Sequence, residues 1–467
     1  MTEYSVAMTE SVNDSLQKFL LKDLDDEEIC FATWHPAEGK SRFSILINDI
    51  ILPCDDERER HGNVSALPQY LDRVKEFARL KNAGLIMIHT HPFGKGHQHV
   101  SEPDLYYEQD VLAREIFGYT GLPLVGMTLA GDSTWSARIY PKPYLIQWCS
   151  SVRIVGKNLH VDFHPKLKPA VSPNEKHVRT SNIWGNKKHM DLMRLKVGII
   201  GSGSVGAIIG ESISRMGVGH VHLMDYDLIK LHNLDRLICV SKNDVGKKKA
   251  DVISEKLRIG ATNDNFLCTV SYQSIVEEIG YVEALDYDVL FCCVDRPWPR
   301  QVLNHLAYSS LIPVINGGID FRVSDGRFVH GMFRAQTVGP HRPCMNCLNT
   351  FKGSEVQQDR DGLFDDPEYI KEQEKISKTP SRQNIMPFVF GLGFIETTQF
   401  IELVTNLANI GDLGQQEYDY RSSTITAKPS KCLENCPYVS ITSFGDTNKP
   451  FLGHDISKDR TLKEEIF

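Results

Sequence analysis

Lys196-Val197-Gly198-Ile199-Ile200-Gly201-Ser202-Gly203-Ser204-Val205-Gly206 decides the fold of the second half of this chain. The apolar run lacks polar alternation, which reads as a strand buried on both faces. The three glycines after it let the backbone turn sharply and approach a phosphate, whose charge the N-terminus of the next helix meets. Gly201, Gly203 and Gly206 are therefore the candidate phosphate loop. Asp225 ends the next strand, about twenty residues on, where a carboxylate holds a ribose hydroxyl. Further out, apolar strands at 195–200, 220–224, 288–294 and 312–315 alternate with amphipathic helices. That pattern predicts an α/β, doubly wound parallel sheet covered on both faces.

Up to this point a nicotinamide dehydrogenase would read the same. The runs Asp225-Tyr226-Asp227, Asn233-Leu234-Asp235-Arg236 and Asp244-Val245-Gly246-Lys247-Lys248-Lys249-Ala250 have no role in binding a dinucleotide. With them the sequence resembles the ThiF/MoeB/HesA family, the adenylating domains of ubiquitin-activating enzymes, over about residues 179–437. The resemblance implies a Rossmann-like domain in which Asp225 binds ribose and Asn233, Arg236 and Lys249 grip the ATP phosphates. It also implies Mg²⁺ associated with Asp295. Arg296 and Leu237 depart from the family's usual Asn and Gln at those positions. Arg179 stands where relatives carry an arginine that reaches into a partner subunit, so the resemblance implies a homodimer; an exposed linker arginine is the other reading.

Cys344-Met345-Asn346-Cys347 and Cys432-Leu433-Glu434-Asn435-Cys436 form two close pairs. Four thiolates at such spacing can converge on one tetrahedral Zn²⁺ and leave no open position, which defines a structural site. The resemblance implies the same four-cysteine zinc. Residues 348–431 contain no cysteine, and none is assigned as a nucleophile. The adenylate is then expected to pass directly to another protein or to a sulfur donor.

The front of the chain carries a second constellation. His89-Thr90-His91 ends the apolar run Leu85-Ile86-Met87-Ile88, and on a strand residues two apart share a face. Ser101-Glu102-Pro103-Asp104 opens a helix and brings a carboxylate, while Glu28-Ile29-Cys30 opens a strand with another, adjoined by Glu27. Two histidines, one aspartate and an open fourth position suit a catalytic zinc. This constellation resembles the JAB/MPN (JAMM) metalloproteases, which remove ubiquitin-like proteins, over about residues 1–150. The resemblance implies His89, His91 and Asp104 as zinc ligands, Glu28 as general base and Ser101 as oxyanion stabiliser. His97 and His99, in a glycine-containing loop, read as solvent-exposed.

The 467 residues are 41% hydrophobic and 24% charged with a formal charge of −8, which disfavours nucleic acid as the main partner. No run of eighteen apolar residues points to a membrane span, and the polar, acidic stretch 1–28 lacks the form of a signal peptide. The expected organisation is a metalloprotease domain over 1–157, a proline-containing linker over 158–188 and an adenylation domain over 189–467. The charged stretch 352–382 reads as a mobile loop over that domain. Together the motifs imply ATP-dependent adenylation of the C-terminal glycine of a ubiquitin-like protein, combined with zinc-dependent cleavage of that protein or its conjugates. A conjugating enzyme or a sulfurtransferase is the expected downstream partner, and a bacterial cytoplasm the expected setting. Sulfur-carrier activation for cofactor or cysteine synthesis, and a binding scaffold without activity, are the alternatives.

Overall fold

The structure, a computed structural model, describes residues 2–22, 26–61, 63–142, 144–324, 327–377, 383–458 and 460. It divides into two compact units. One comprises residues 1–170 with 309–311 and 441–449, and the other comprises 171–308, 312–440 and 450–467.

The front domain is built on a nine-stranded mixed sheet. Its central strands run, in spatial order, Glu3–Thr9, Arg42–Ile51, Ile29–Glu38, Gly84–His91 and Leu124–Ala130. Both faces are covered. On one, helix Glu10–Leu20 lays Leu16 and Leu20 against Val6, Met8, Trp34 and Ile45. On the other, Tyr70, Val74 and Ala78 of helix Pro68–Lys81 meet Phe31, Leu85 and Met87. Each fully buried Leu, Val or Phe contributes about 1.5–3 kcal/mol, so these layers fix which way every side chain of strand Gly84–His91 points.

The second domain contains an eight-stranded sheet. Strands Leu267–Ser271, His220–Met224, Lys196–Ile200, Val289–Cys292 and Val314–Ser324 lie side by side in that order and run parallel. Three antiparallel strands, Arg327–Val338, Gln415–Asp419 and Thr424–Lys428, extend it. The order reverses between Lys196–Ile200 and Val289–Cys292, which is the switch point where such sheets open a crevice for ligands.

Several expectations change. The expected linker holds strand Leu159–Phe163 on the edge of the front sheet and two helices, Val178–Trp184 and Asn186–Leu192. Proline and lysine there punctuate elements that are anchored by buried His164, His177 and His189. The stretch 352–377 is helical, with Gly353–Arg360 and Pro367–Ser377 flanking a short turn; residues 378–382 fall outside the described residues. Residues 3–20, within a stretch that reads as polar, form a central strand and a helix. Finally, helix Met386–Thr405 is long and apolar enough to cross a membrane by length and composition, at a mean hydropathy of 1.3. It is interrupted by Glu396 and Glu402 and is 61% buried. Its Phe388, Leu392 and Ile395 pack on Phe333 and Ala335 of the sheet, the position of a core helix.

Candidate functional site

The glycine loop turns at the switch point. Gly201 has φ of +95°, and a Cβ there would lie 2.6 Å from the Cys293 carbonyl oxygen, so no other residue fits without a shift. Helix Ser204–Arg215 begins directly after Gly203 with no side-chain cap. Its first amides are left free for an anion, and the helix dipole adds to their pull. Asp225 closes the next strand, 9% exposed. Its Oδ2 accepts the Ser202 amide at 2.7 Å and the Ser202 hydroxyl at 3.0 Å, and its Oδ1 accepts the Asp227 amide at 2.9 Å. Burial, reinforced by the charge of Asp227 and opposed by Lys249, raises its pKa to about 6.

A pocket beside the loop is lined by Gly203, Ser204, Asn233, Arg236, Leu237 and Lys249. Three of the four residues expected to contact the nucleotide beyond the loop thus share one concavity. Each is held from behind. Lys249 heads helix Lys249–Gly260, and its Nζ lies 2.6 Å from Asp227 Oδ2. Arg236 donates to the His232 carbonyl and to Asp235 Oδ1, both at 2.7 Å. Asn233 accepts the Lys230 amide on its Oδ1 at 2.9 Å, which leaves its NH₂ to donate. Asp227 is the residue the sequence did not assign; its signal was its place in the run Asp225-Tyr226-Asp227, two residues beyond Asp225.

Asp295 is exposed beyond strand Val289–Cys292, on the other side of the switch point. Arg296 turns away from it. Its guanidinium donates to Asp359 Oδ1 at 2.9 Å, to Asp365 and to the Phe364 carbonyl. Arg179 is exposed on helix Val178–Trp184.

Cys344, Cys347, Cys432 and Cys436 place their sulfurs within 4.8 Å of one another. The Cys344 and Cys436 sulfurs are 3.6 Å apart, close to the edge of about 3.8 Å that Zn–S bonds of about 2.3 Å give a tetrahedron. Backbone amides of Cys344 and Cys347 donate to Cys432 Sγ at 3.2 Å and Cys344 Sγ at 3.3 Å, which favours thiolates. The donor set fits a structural zinc, and all eleven cysteines are free of disulfides.

His89, His91 and Asp104 form the other group with ligand atoms within 4.8 Å among the described residues. The two Nε2 atoms are 3.3 Å apart, the edge length that Zn–N bonds of 2.0–2.1 Å predict at about 3.3–3.4 Å. Asp104 Oδ2 lies 3.7 Å from His89 Nε2. His91 Nδ1 faces Gln98 Oε1 at 3.2 Å, an arrangement that leaves Nε2 for a cation. Three donors at these distances could hold a metal ion. Asp104 rides on helix Glu102–Tyr106, which passes into a π-helical turn, Tyr107–Leu112. That turn carries Glu108, fully buried, onto Arg138 and Tyr140, each with a contact at 2.7 Å. Arg138 in turn donates to Thr128 at 3.0 Å, one strand from His89.

Glu28, expected as the general base, does not face the histidines. Ile29 pairs with His89, so Glu27 and Ile29 share the histidine face and Glu28 takes the other. Glu28 is buried against Lys22 at 3.0 Å, Arg58 at 2.7 Å and Arg60. The carboxyl beside Asp104 is Glu27, its pKa pushed up to about 7 by burial first and by Asp104 second. Ser101 caps its helix: its hydroxyl donates to Asp104 Oδ2 at 2.5 Å and accepts the Asp104 amide at 3.3 Å. His97 is not open to solvent as expected. Both its ring nitrogens are buried, and it packs on Trp148 and His164.

A doubly wound nucleotide-binding domain, with a cationic pocket at its switch point and a separate four-cysteine cluster, is the class these features define. The model of the ThiF family matches residues 175–436, and the chain belongs to that family. It is similar to the adenylyltransferase and sulfurtransferase MOCS3 of Caenorhabditis briggsae, 25% identical over 166 residues, which are 35% of this chain and 39% of that protein. It is also similar to ubiquitin-like modifier-activating enzyme 5 of Aedes aegypti, 28% identical over 117 residues, 23% of this chain and 30% of the relative. The chain thus spans well under half the length of these relatives. Among solved structures, Escherichia coli MccB with ATP aligns with a TM-score of 0.45 at 18% identity, covering 57% of this chain and 75% of that one. The front domain lies outside the family match.

Proposed function

We propose that this chain uses ATP to adenylate the C-terminal carboxylate of a ubiquitin-like or sulfur-carrier protein. The observation that carries the reading is the convergence of Asn233, Arg236, Lys249 and a helix N-terminus on one pocket at the switch point. A terminal carboxylate, with a pKa of about 3.3–3.7, is already ionised at neutral pH, so the site needs no general base. It needs cations instead. Carboxylate oxygen attacks the α-phosphorus, the bond to the bridging oxygen breaks, and pyrophosphate leaves with the electron pair. Lys249 and Arg236, fixed by Asp227 and Asp235, meet the charge that grows there without moving. Asp225 receives the ribose hydroxyls. Asp295 would hold Mg²⁺, which supplies further neutralisation of the phosphates when bound.

With no cysteine between 348 and 431, the adenylate passes directly to a conjugating enzyme's thiol or to a sulfur donor. Arg179, exposed, is the group offered to a second copy's site in a homodimer. The reducing cytoplasm of a bacterium suits eleven free thiols. The test is ATP–pyrophosphate exchange with a glycine-ended partner. Partner-dependent exchange that drops about 10²–10³-fold in Lys249→Ala supports the reading; equal exchange in that variant contradicts it.

We infer further that the front domain is a JAMM-type zinc hydrolase for the same class of protein. The donor distances support this, and zinc bound there would polarise the scissile carbonyl and activate water. Glu27, on the face of the triad and outside its first ring of donors, is the group that would carry the proton, in place of Glu28. Glu27→Gln is expected to abolish cleavage of a ubiquitin-like fusion while zinc content stays at wild-type level. Retained cleavage would return the role to another group.

A further inference from the structure

We propose that Arg296 and Arg460 are positioning residues of the adenylation site, holding helix Gly353–Arg360 and the turn after it against the strand ends that carry Asp225 and Asp295. This rests on the adenylation reading for its functional meaning, but the contacts stand by themselves. Asp359 is fully buried and takes three donors: Arg296 at 2.9 Å, Arg460 at 2.9 Å and the Trp298 amide at 3.1 Å. Asp365 takes Arg460 at 3.1 Å and also Arg296. Two arginines and two aspartates thus close a ring, with formal charges that cancel.

The ring's members come from three distant parts of the chain. Arg296 immediately follows Asp295. Asp359 lies in the last turn of its helix and Asp365 ends the short turn after it, in the charged stretch that reads as a loop. Arg460 comes from far along the chain, and its charge also acts on Tyr226, the residue between Asp225 and Asp227. The segment leading to it is docked step by step. Phe451 O accepts Trp298 Nε1 at 3.4 Å, Gly453 donates to Val276 at 2.7 Å, and Ser457 donates twice to Glu277 Oε1 at 3.0 Å. Arg360 stacks over Phe451 at 4.8 Å.

Withdrawing four charges from solvent, two of them buried and two largely so, is a poor route to stability when apolar side chains could fill the same space, but it specifies one arrangement sharply. Here that arrangement joins the residues next to both carboxylates of the nucleotide site. The departure at Arg296 from the family's usual residue has a physical role: it hands the site's geometry to a segment over 352–377 and to the C-terminal tail.

The experiment uses the full chain and its Arg460→Gln and Arg460→Lys variants, and the double variant Arg460→Asp with Asp365→Arg. Amide hydrogen exchange is read alongside ATP–pyrophosphate exchange and the Kd for ATP. In Arg460→Gln, exchange over Gly353–Arg360 is expected to rise at least tenfold while strand Lys196–Ile200 keeps its protection. The kcat of pyrophosphate exchange falls at least tenfold with the Kd for ATP within threefold. Lysine restores part of kcat, since it returns the charge without the fork, and the double variant restores more than either single change. Unchanged protection of 353–360 in Arg460→Gln overturns the positioning. A loosened segment with unchanged kcat overturns its link to the site. If the wild-type chain shows no pyrophosphate exchange, the adenylation reading fails, and the hydrogen-exchange arm still decides whether the ring holds the segment.

Discussion

Asp225 sits in an uneasy place for a carboxylate: buried, next to Asp227, and ionised only because Lys249 and two backbone amides favour its charge. Ribose hydroxyls donate more strongly to it in the ionised form. Its raised pKa of about 6 therefore predicts ATP affinity that is full at pH 7 and above and falls as pH drops through 6. The loss stays below tenfold per pH unit, because the protonated acid still accepts a hydrogen bond through its carbonyl oxygen. Isothermal titration between pH 5 and 8 checks this; in Asp225→Asn the slope disappears and affinity is low throughout. Glu28, the general base that the resemblance implies, lies on the face away from the histidines, and the reason is parity. Glu27 and Glu28 are adjacent, and only the pairing of Ile29 with His89 shows which of them faces the histidines. A one-residue shift on a strand reverses every side chain, and spacing to Cys30 carries no information about the partner strand.

Among the elements, those with strong apolar periodicity were legible nearly to their ends: Gly84–His91 and His220–Met224 stand where the pattern placed them. The missed elements are held by other forces. Helix Gly353–Arg360 buries only Val356 and Asp359, so a search for apolar stripes passes over it, while its ionic docking leaves no periodic trace. Strand Glu3–Thr9 has too short an apolar run to stand out, although its neighbours bury it. The π-helical turn at Tyr107–Leu112 is a third case. It inserts into an ordinary helix the offset that brings Glu108 to Arg138, and Gly126 leaves the space, since a Cβ there would meet Glu108 Oε2 at 2.3 Å. Arg138→Ala would leave the buried Glu108 without its counter-charge, with the Tyr140 hydroxyl as the donor that stays. A loss of about 3–5 kcal/mol in front-domain stability is expected, read by urea denaturation of the full chain from the transition that reports Trp148. A change below 1 kcal/mol would mean the pair does not anchor the helix that carries Asp104.

At the scale of the whole chain, the two sets of motifs were readable because each needs a few residue types at fixed offsets on one element. What could not be read was how the chain returns. Residues 441–449 belong with the front domain, where Phe444 stacks on His35 and the Glu38 amide donates to Asp446 at 2.7 Å. Arg460 belongs with the second domain. Contacts between residues hundreds of positions apart have no signature in spacing or composition. The candidate sites, in contrast, come from local runs: the glycine loop, the helix start at Lys249, the two cysteine pairs and His89-Thr90-His91.

The central claim is that a protein's carboxylate attacks the α-phosphorus of ATP in the pocket of Arg236 and Lys249. Isotope transfer tests it most directly. A glycine-ended ubiquitin-like partner with ¹⁸O in its terminal carboxylate is incubated with the chain, ATP, Mg²⁺ and hydroxylamine, and the nucleotide products are weighed by mass spectrometry. Attack by the carboxylate leaves one labelled oxygen on AMP once hydroxylamine takes the acyl group, so AMP two mass units heavier is the predicted product. Unlabelled AMP, or ADP in its place, would contradict the account.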